Sequence, residues 1–209
     1  MSLQPQSAGA AAAPRGAGAT DIKVVAIAAS AGGVYALQYL LAKLPKRFPA
    51  AVIVLLHLPA DFRSMFHEIL ARVSELPVKQ AEEGDVLRGG HVYVAPPDRH
   101  ASVNADGTLS LLDTERVHFV RPSADVLFTS LAMACHERAI AIVLTGMGSD
   151  GAPGVSVVKR MGGTVIAQDR ATSQFFGMPS AAIETRDVDR VLPLDGIPDA
   201  LVALVGDGA

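Results

Sequence analysis

The sequence predicts an α/β fold: a doubly wound, mostly parallel sheet with helices on both faces and an antiparallel hairpin excursion. Three observations predict it. Short continuous apolar runs of strand length recur along the chain. Segments with apolar residues at helical spacing separate them. Glycine- or proline-rich turns mark nearly every change from one to the other. With 209 residues, half of them hydrophobic, the chain can bury one sizeable core.

The first strand is read over "IKVVAIAA", continuous enough to be buried on both faces. Val34, Leu37, Leu40, Leu41 and Leu44 follow at helical spacing, and Pro45 and Pro49 end that helix. "AAVIVLLHLP" is a second buried strand. It leads into a helix with Phe62, Met65, Phe66, Ile69, Leu70 and Val73 on one face. "HVYVAPPDRH" is a short strand stopped by two prolines, and "SVNADGTLSLL" is a hairpin turning at Ala105-Asp106-Gly107. After Ser123, a good N-cap, "ADVLFTSLAMACHERA" is helical, with Asp125 favourably placed in the first turn. "AIAIVLTGMGSDGAPGVSVVKRMGG" reads as strand, glycine-rich loop and helix, with Pro153 in the first turn and Gly162 or Gly163 at the stop. "TVIAQD" is another strand, and "GIPDALVALVG" a terminal helix. Residues 1–20 are rich in Ala, Gly and Pro and are expected to form a flexible tail. The folded domain is expected to span residues 21–209.

Composition narrows the function classes. The net charge of −3 offers no basic field for nucleic acid. No apolar run reaches the roughly 18 residues of a membrane span, so no direct membrane insertion is expected. The single cysteine, Cys135, rules out a disulfide within the chain and fits a reducing cytoplasm; it is read as a buried structural thiol. None of His67, His91, His118 and His136 shows metal-ligand spacing, and neither a metal nor a cofactor is expected.

In open parallel sheets, sites form beyond the carboxyl ends of the strands. Ser30 follows the first strand, His57 ends the second, and Asp150 follows "AIAIVLT". Taken singly, each has a bland reading: a helix cap for Ser30, a hydrogen-bonded structural histidine for His57, a loop cap for Asp150. Taken together they are the parts of a nucleophilic set. A hydroxyl needs an imidazole to take its proton and a carboxylate to hold the imidazole's tautomer. Spacing leaves both readings open, and Asp169, after "VIAQ", is an alternative third member. Arg99 and His100 follow another strand end, where one of them would line the cleft, and Arg121 would hold a loop. Dinucleotide binding fits poorly, because the second strand ends in His57 rather than an acidic ribose ligand. A phosphate loop fails because no Gly-Lys-Ser/Thr follows the glycines.

Beyond these spacings, "AIAASAGGVYAL", "FPAAVIVLLHLP", "VYVAPPDRH", "RPSADVLF", "IVLTGMGSDGA", "VIAQD" and "FFGMPSAAI" occur in one order. In these blocks the chain resembles the catalytic domain of the chemotaxis protein-glutamate methylesterases, the CheB family, from about Lys23 to about Leu194. The resemblance implies a serine hydrolase that removes methyl groups from glutamyl methyl esters of chemoreceptor helices. Many members also deamidate receptor glutamines. It implies Ser30 as nucleophile, His57 as base and Asp150 as the carboxylate. It brings Met147 of "TGMG" close to the site, and the backbone N–H groups of Met147 and His57 are candidate oxyanion donors. A packing role for the Met147 side chain stands beside that reading. The implied partner is a methylated chemoreceptor or a similar methylated protein. Alternatives are an esterase for a non-receptor substrate and a non-catalytic binding module on the same scaffold.

Two departures from the family pattern stand out. The stretch around the nucleophile usually reads Gly-Ala-Ser-Thr-Gly-Gly; Ala28 replaces its first glycine and Ala31 its threonine. Typical members also carry a phosphorylatable receiver domain ahead of the esterase domain, and these 209 residues leave no room for one.

Overall fold

A computed structural model of the chain describes residues 22–57 and 65–206. Seven parallel strands form one sheet: β1 (Val24–Ala29), β2 (Ala51–Leu56), β3 (Val78–Gln80), β4 (Val92–Val94), β7 (Ala139–Val143), β8 (Thr164–Gln168) and β9 (Arg190–Leu192). Their order across the sheet is β3-β4-β2-β1-β7-β8-β9. From β1 the chain places β2 beside it, β3 at the edge and β4 between them, then returns to pair β7 with β1 and builds outward through β8 and β9. The order reverses between β1 and β7, which is where such sheets open a crevice at their carboxyl edge. A separate antiparallel pair, β5 (His100–Val103) and β6 (Leu109–Leu112), is the expected hairpin. Its turn closes through Gly107 at φ 82°, with Asp106 Oδ1 accepting from the Thr108 N–H at 3.0 Å.

Period-two alternation in the central strands supplies two cores. Val25, Ile27 and Ala29 of β1 join Val52, Val54 and Leu56 of β2 on one face, with Leu37, Leu40 and Leu41 of α1 (Gly33–Lys43) and Leu201 of α6 (Ile197–Gly206). Ala26 and Ala28 face the opposite way. They meet Leu127, Phe128 and Leu131 of α3 (Ala124–Cys135) and Val155 and Val158 of α4 (Ala152–Arg160). The small residues of β1 let α3 sit close to the sheet. Ala28 is fully buried there and its carbonyl accepts from the Leu144 N–H at 2.9 Å, so the methyl group is absorbed by the core. Phe128 is fully buried between sheet and α4. Phe128→Ala is expected to cost about 3–5 kcal/mol, read from urea denaturation.

Several expectations need correction. Val34 is 42% exposed, because the buried stripe of α1 runs through Ala36, Leu37, Leu40 and Leu41 instead. The second helix, α2, is only Phe66–Ala71, and a helix this short buries one ridge, Phe66 and Leu70, leaving Met65 and Ile69 exposed. Phe62 lies outside the described residues, as does the expected tail over residues 1–20. Three elements had no sequence reading: the short edge strands β3 and β9, and α5 (Gly177–Glu184). Edge strands of three residues carry no clear alternation. In α5 a glycine and Pro179 open the helix, a pattern that reads as a breaker although proline is tolerated in a first turn.

Candidate active site

Backbone pairing alone brings Ser30 and His57 side by side. β1 and β2 run in register to Ala29 opposite Leu56, so the next residue on each is Ser30 and His57. The His57 N–H donates to the Ala29 carbonyl at 3.1 Å, and the Ser30 N–H to the Thr145 carbonyl at 3.0 Å. Ser30 is thus clamped between the ends of β1 and the strand that leads to the glycine loop. It is not the cap of α1: Gly32 takes that position at φ 76°, a left-handed conformation natural to glycine. A β-carbon at Gly32 would also lie 2.6 Å from Gln174 Oε1.

Asp150 comes from the loop between β7 and α4 and reaches His57. His57 Nε2 and Asp150 Oδ2 are 2.8 Å apart, with both side chains largely buried. Asp150 also receives the Ser123 hydroxyl at 2.7 Å, the Ala124 N–H at 2.6 Å and the Asp125 N–H at 3.2 Å. Burial pushes the Asp150 carboxyl up, but the hydrogen bonds from His57, Ser123 and Ala124 outweigh it and hold it below the ordinary aspartate value. Asp150 is therefore ionised at neutral pH and accepts from a protonated Nε2. That leaves Nδ1 of neutral His57 as the ring nitrogen with a lone pair.

The glycine loop lies against the serine. A β-carbon at Gly146 would stand 2.9 Å from Ser30 Cβ and 2.3 Å from Met178 Sδ. Met147, the next residue, is 64% exposed, so its side chain packs in no core. Thr145 ties the loop down: its hydroxyl donates to the Ala31 carbonyl at 3.0 Å and accepts from the Phe175 N–H at 2.9 Å. Its own N–H donates to the buried Gln168 Oε1 at 2.8 Å.

The remaining candidates have structural duties. Asp169 Oδ1 accepts from the N–H and hydroxyl of Thr172 at 2.9 and 2.7 Å, closing its own turn rather than reaching His57. His100 is fully buried. Its Nδ1 accepts from the Ser123 N–H at 3.1 Å, which leaves Nε2–H to donate to the Glu115 carbonyl at 3.0 Å. Arg99 is half-exposed near Asp113. Arg121 holds a loop, as expected, donating to Asp98 Oδ1 and the Thr114 carbonyl. Burial pushes the Cys135 thiol up, which fits an inert structural role. Among the described residues, no group of three or more His, Cys, Asp or Glu is arranged to hold a metal ion. No helix among them is long and apolar enough to cross a membrane.

Sequence reading took Ser123 and Asp125 only as helix-start residues and did not single out Thr145 and Gln168, so it missed that the four form the layer behind the set. One signal was available. Each is a polar residue in or beside an apolar run, and all four are buried.

The topology and the polar cluster define a doubly wound α/β domain whose site opens at the strand carboxyl ends, beside the β1–β7 reversal. A family profile described as CheB methylesterase matches residues 25–201, and the chain belongs to that family. It is 44% identical over 184 residues to a Pyrococcus abyssi protein named protein-glutamate methylesterase/protein-glutamine glutaminase, covering 87% of this chain and 50% of that protein. An Anaeromyxobacter dehalogenans protein named protein-glutamate methylesterase/protein-glutamine glutaminase 2 is 47% identical over 183 residues, 88% of this chain and 53% of that protein. The chain thus spans about half the length of the curated relatives it matches. The crystal structure of the Thermotoga maritima CheB methylesterase catalytic domain superposes with a TM-score of 0.86 at 40% identity, covering 89% of this chain and 100% of that one.

Proposed function

We propose that this domain is a serine hydrolase that demethylates glutamyl methyl esters on chemoreceptor helices in the cytoplasm. Ser30 is the nucleophile, His57 the general base and Asp150 the carboxylate that orients it. The observation that carries the reading is the 2.8 Å His57–Asp150 hydrogen bond at the strand end next to Ser30. The names borne by the relatives supply methyl-esterified protein glutamate as the group acted on, and the family resemblance supplies the chemoreceptor.

With Asp150 on Nε2, Nδ1 of His57 takes the Ser30 proton as Oγ attacks the ester carbonyl. The imidazolium then returns that proton to the departing methoxide, so methanol leaves and an acyl-serine remains. Water, activated by the same nitrogen, attacks the acyl carbon and frees Oγ, giving a glutamate carboxylate. Deamidation of a glutamine follows the same steps with ammonia as the leaving group. The His57 N–H is used in the sheet, where it donates to Ala29, and is dropped as an oxyanion donor. The Met147 N–H, on the loop against Ser30, retains that role, and the positive end of α1 assists it. Exposed Met147 and Phe175 beside the serine suit a protein substrate that offers apolar side chains around its ester.

The direct test is methanol release from a methylated chemoreceptor cytoplasmic fragment. The domain is expected to release methanol and leave glutamate. A correctly folded protein that releases none from any methylated receptor fragment would remove the substrate assignment.

A further inference from the structure

Asp125 takes no part in the steps above, yet it shares their scaffold. It lies in the first turn of α3 and is 8% exposed. Its Oδ1 accepts from the N–H groups of Gly151 and Gly154 at 3.1 and 2.8 Å, at the N-cap and in the first turn of α4. Asp150, which precedes α4, accepts in return from the N–H groups of Ala124 and Asp125 that open α3. Two helix N-termini converge, and a pair of carboxylates answers their unpaired N–H groups. Glycines permit the approach, since a β-carbon at Gly154 would fall 2.8 Å from Phe128 Cβ and 3.1 Å from Asp125 Cα.

We propose that Asp125 is a positioning residue of the reaction, forming with Asp150 a reciprocal clasp in which each aspartate caps the helix associated with the other. This rests on reading Ser30, His57 and Asp150 as the reacting set. The clasp has two anchors. Asp150 ties its own loop to α3, and Asp125 ties α4 to the same turn, so the Asp150 carboxylate cannot pivot away from His57. Loss of the second anchor leaves Asp150 on a loop free to shift. Small displacements of an orienting group are costly in rate.

Asp125 also bears on charge. The groups facing it are Asp150 on the loop before α4, the Gly151 and Gly154 N–H groups of α4, His118 with Nε2 3.8 Å from Oδ2, and His57 behind Asp150. Its Oδ2 is buried without a hydrogen-bond partner among the described residues. Burial, with the Asp150 charge adding to it, pushes this carboxyl up to about 6, against the pull of the Gly154 N–H. Above that pH a second negative charge stands behind Asp150 and its hydrogen bond to the imidazole.

The test uses p-nitrophenyl acetate hydrolysis across pH, with fluorophosphonate labelling of Ser30 as the control on the site itself. Wild type should label and hydrolyse, and His57→Ala should lose both. If wild type does neither, the site reading fails and the clasp falls with it. Given an active wild type, Asp125→Ala is expected to lower kcat about 100-fold with KM little changed. Asp125→Asn keeps the Oδ1 acceptor and should recover most of the rate. Its acid limb should move to lower pH by about half a unit to one unit, because a negative charge behind the base is gone. Melting curves establish that each variant is folded; if Asp125→Ala does not fold, the acid limb of Asp125→Asn decides. The proposal is overturned by a folded Asp125→Ala with wild-type kcat. It is equally overturned by an Asp125→Asn protein whose acid limb coincides with that of wild type.

Discussion

Ser30→Ala is expected to abolish methanol release, by about 10⁶-fold, while leaving the fold and receptor binding intact. The size follows from the chemistry. Without Oγ no acyl-enzyme forms, and His57 can act only on water, which lacks a held position against the ester carbonyl. Residual rate above the uncatalysed reaction would come from the Met147 N–H and from substrate positioning. The change removes one oxygen at a position whose backbone is held by the Thr145 carbonyl and the Gly33 N–H, at 3.0 and 2.8 Å, so it should not disturb the turn. Methanol assays, with circular dichroism to establish folding, check it. Undiminished methanol release from Ser30→Ala would remove the serine mechanism and leave only the family assignment.

The second large effect is expected at Asp150. Asp150→Asn should lower kcat about 10⁴-fold. An amide presents both a donor and an acceptor to His57, and a donor at this position selects the tautomer with the proton on Nδ1, the nitrogen that must receive the serine proton. The same substitution has a signature in stability. Asp150 is held below its ordinary value in the folded state, so its carboxylate stabilises the fold fully above the unfolded value of about 3.9. That contribution is lost as pH falls through the depressed folded value. Wild type should therefore lose stability with acid more steeply than Asp150→Asn over that window, as read by urea midpoints at successive pH values. Parallel curves for the two proteins would contradict the hydrogen bonds from His57, Ser123 and Ala124 as the cause of the lowered Asp150 value.

Much of this was legible in the chain. The runs "IKVVAIAA" and "AAVIVLLHLP" are central strands because apolar residues continuous over six positions have both faces covered. Ser123 caps α3 as read, its oxygen accepting from the Asp125 N–H at 3.2 Å. Ser30, His57 and Asp150 were recognisable as residues at strand ends, and the roles proposed for them came from the family resemblance. Other features were not legible. Asp125 looks from sequence like an ordinary first-turn acid on its own helix, whereas its carboxylate serves α4. The His57 N–H looks free at a strand end, but pairing with β1 consumes it. A packing role for the Met147 side chain was one of its two readings, and the side chain lies exposed on a loop that the Thr145 hydroxyl ties down.

The sequence by itself determined the α/β class, the strands and helices with strong periodicity, and the residue types available at the sheet's carboxyl edge. These depend on local spacing, and local spacing is written in the chain. Only the tertiary structure decided that β7 pairs with β1, that Asp150 rather than Asp169 meets His57, and which imidazole nitrogen is left facing away from the carboxylate. Those outcomes depend on strand order and on the close approach of two helix ends whose residues lie more than twenty positions apart. No periodicity records such contacts, because the free energy that selects them comes from burying surfaces and pairing polar groups across the whole core.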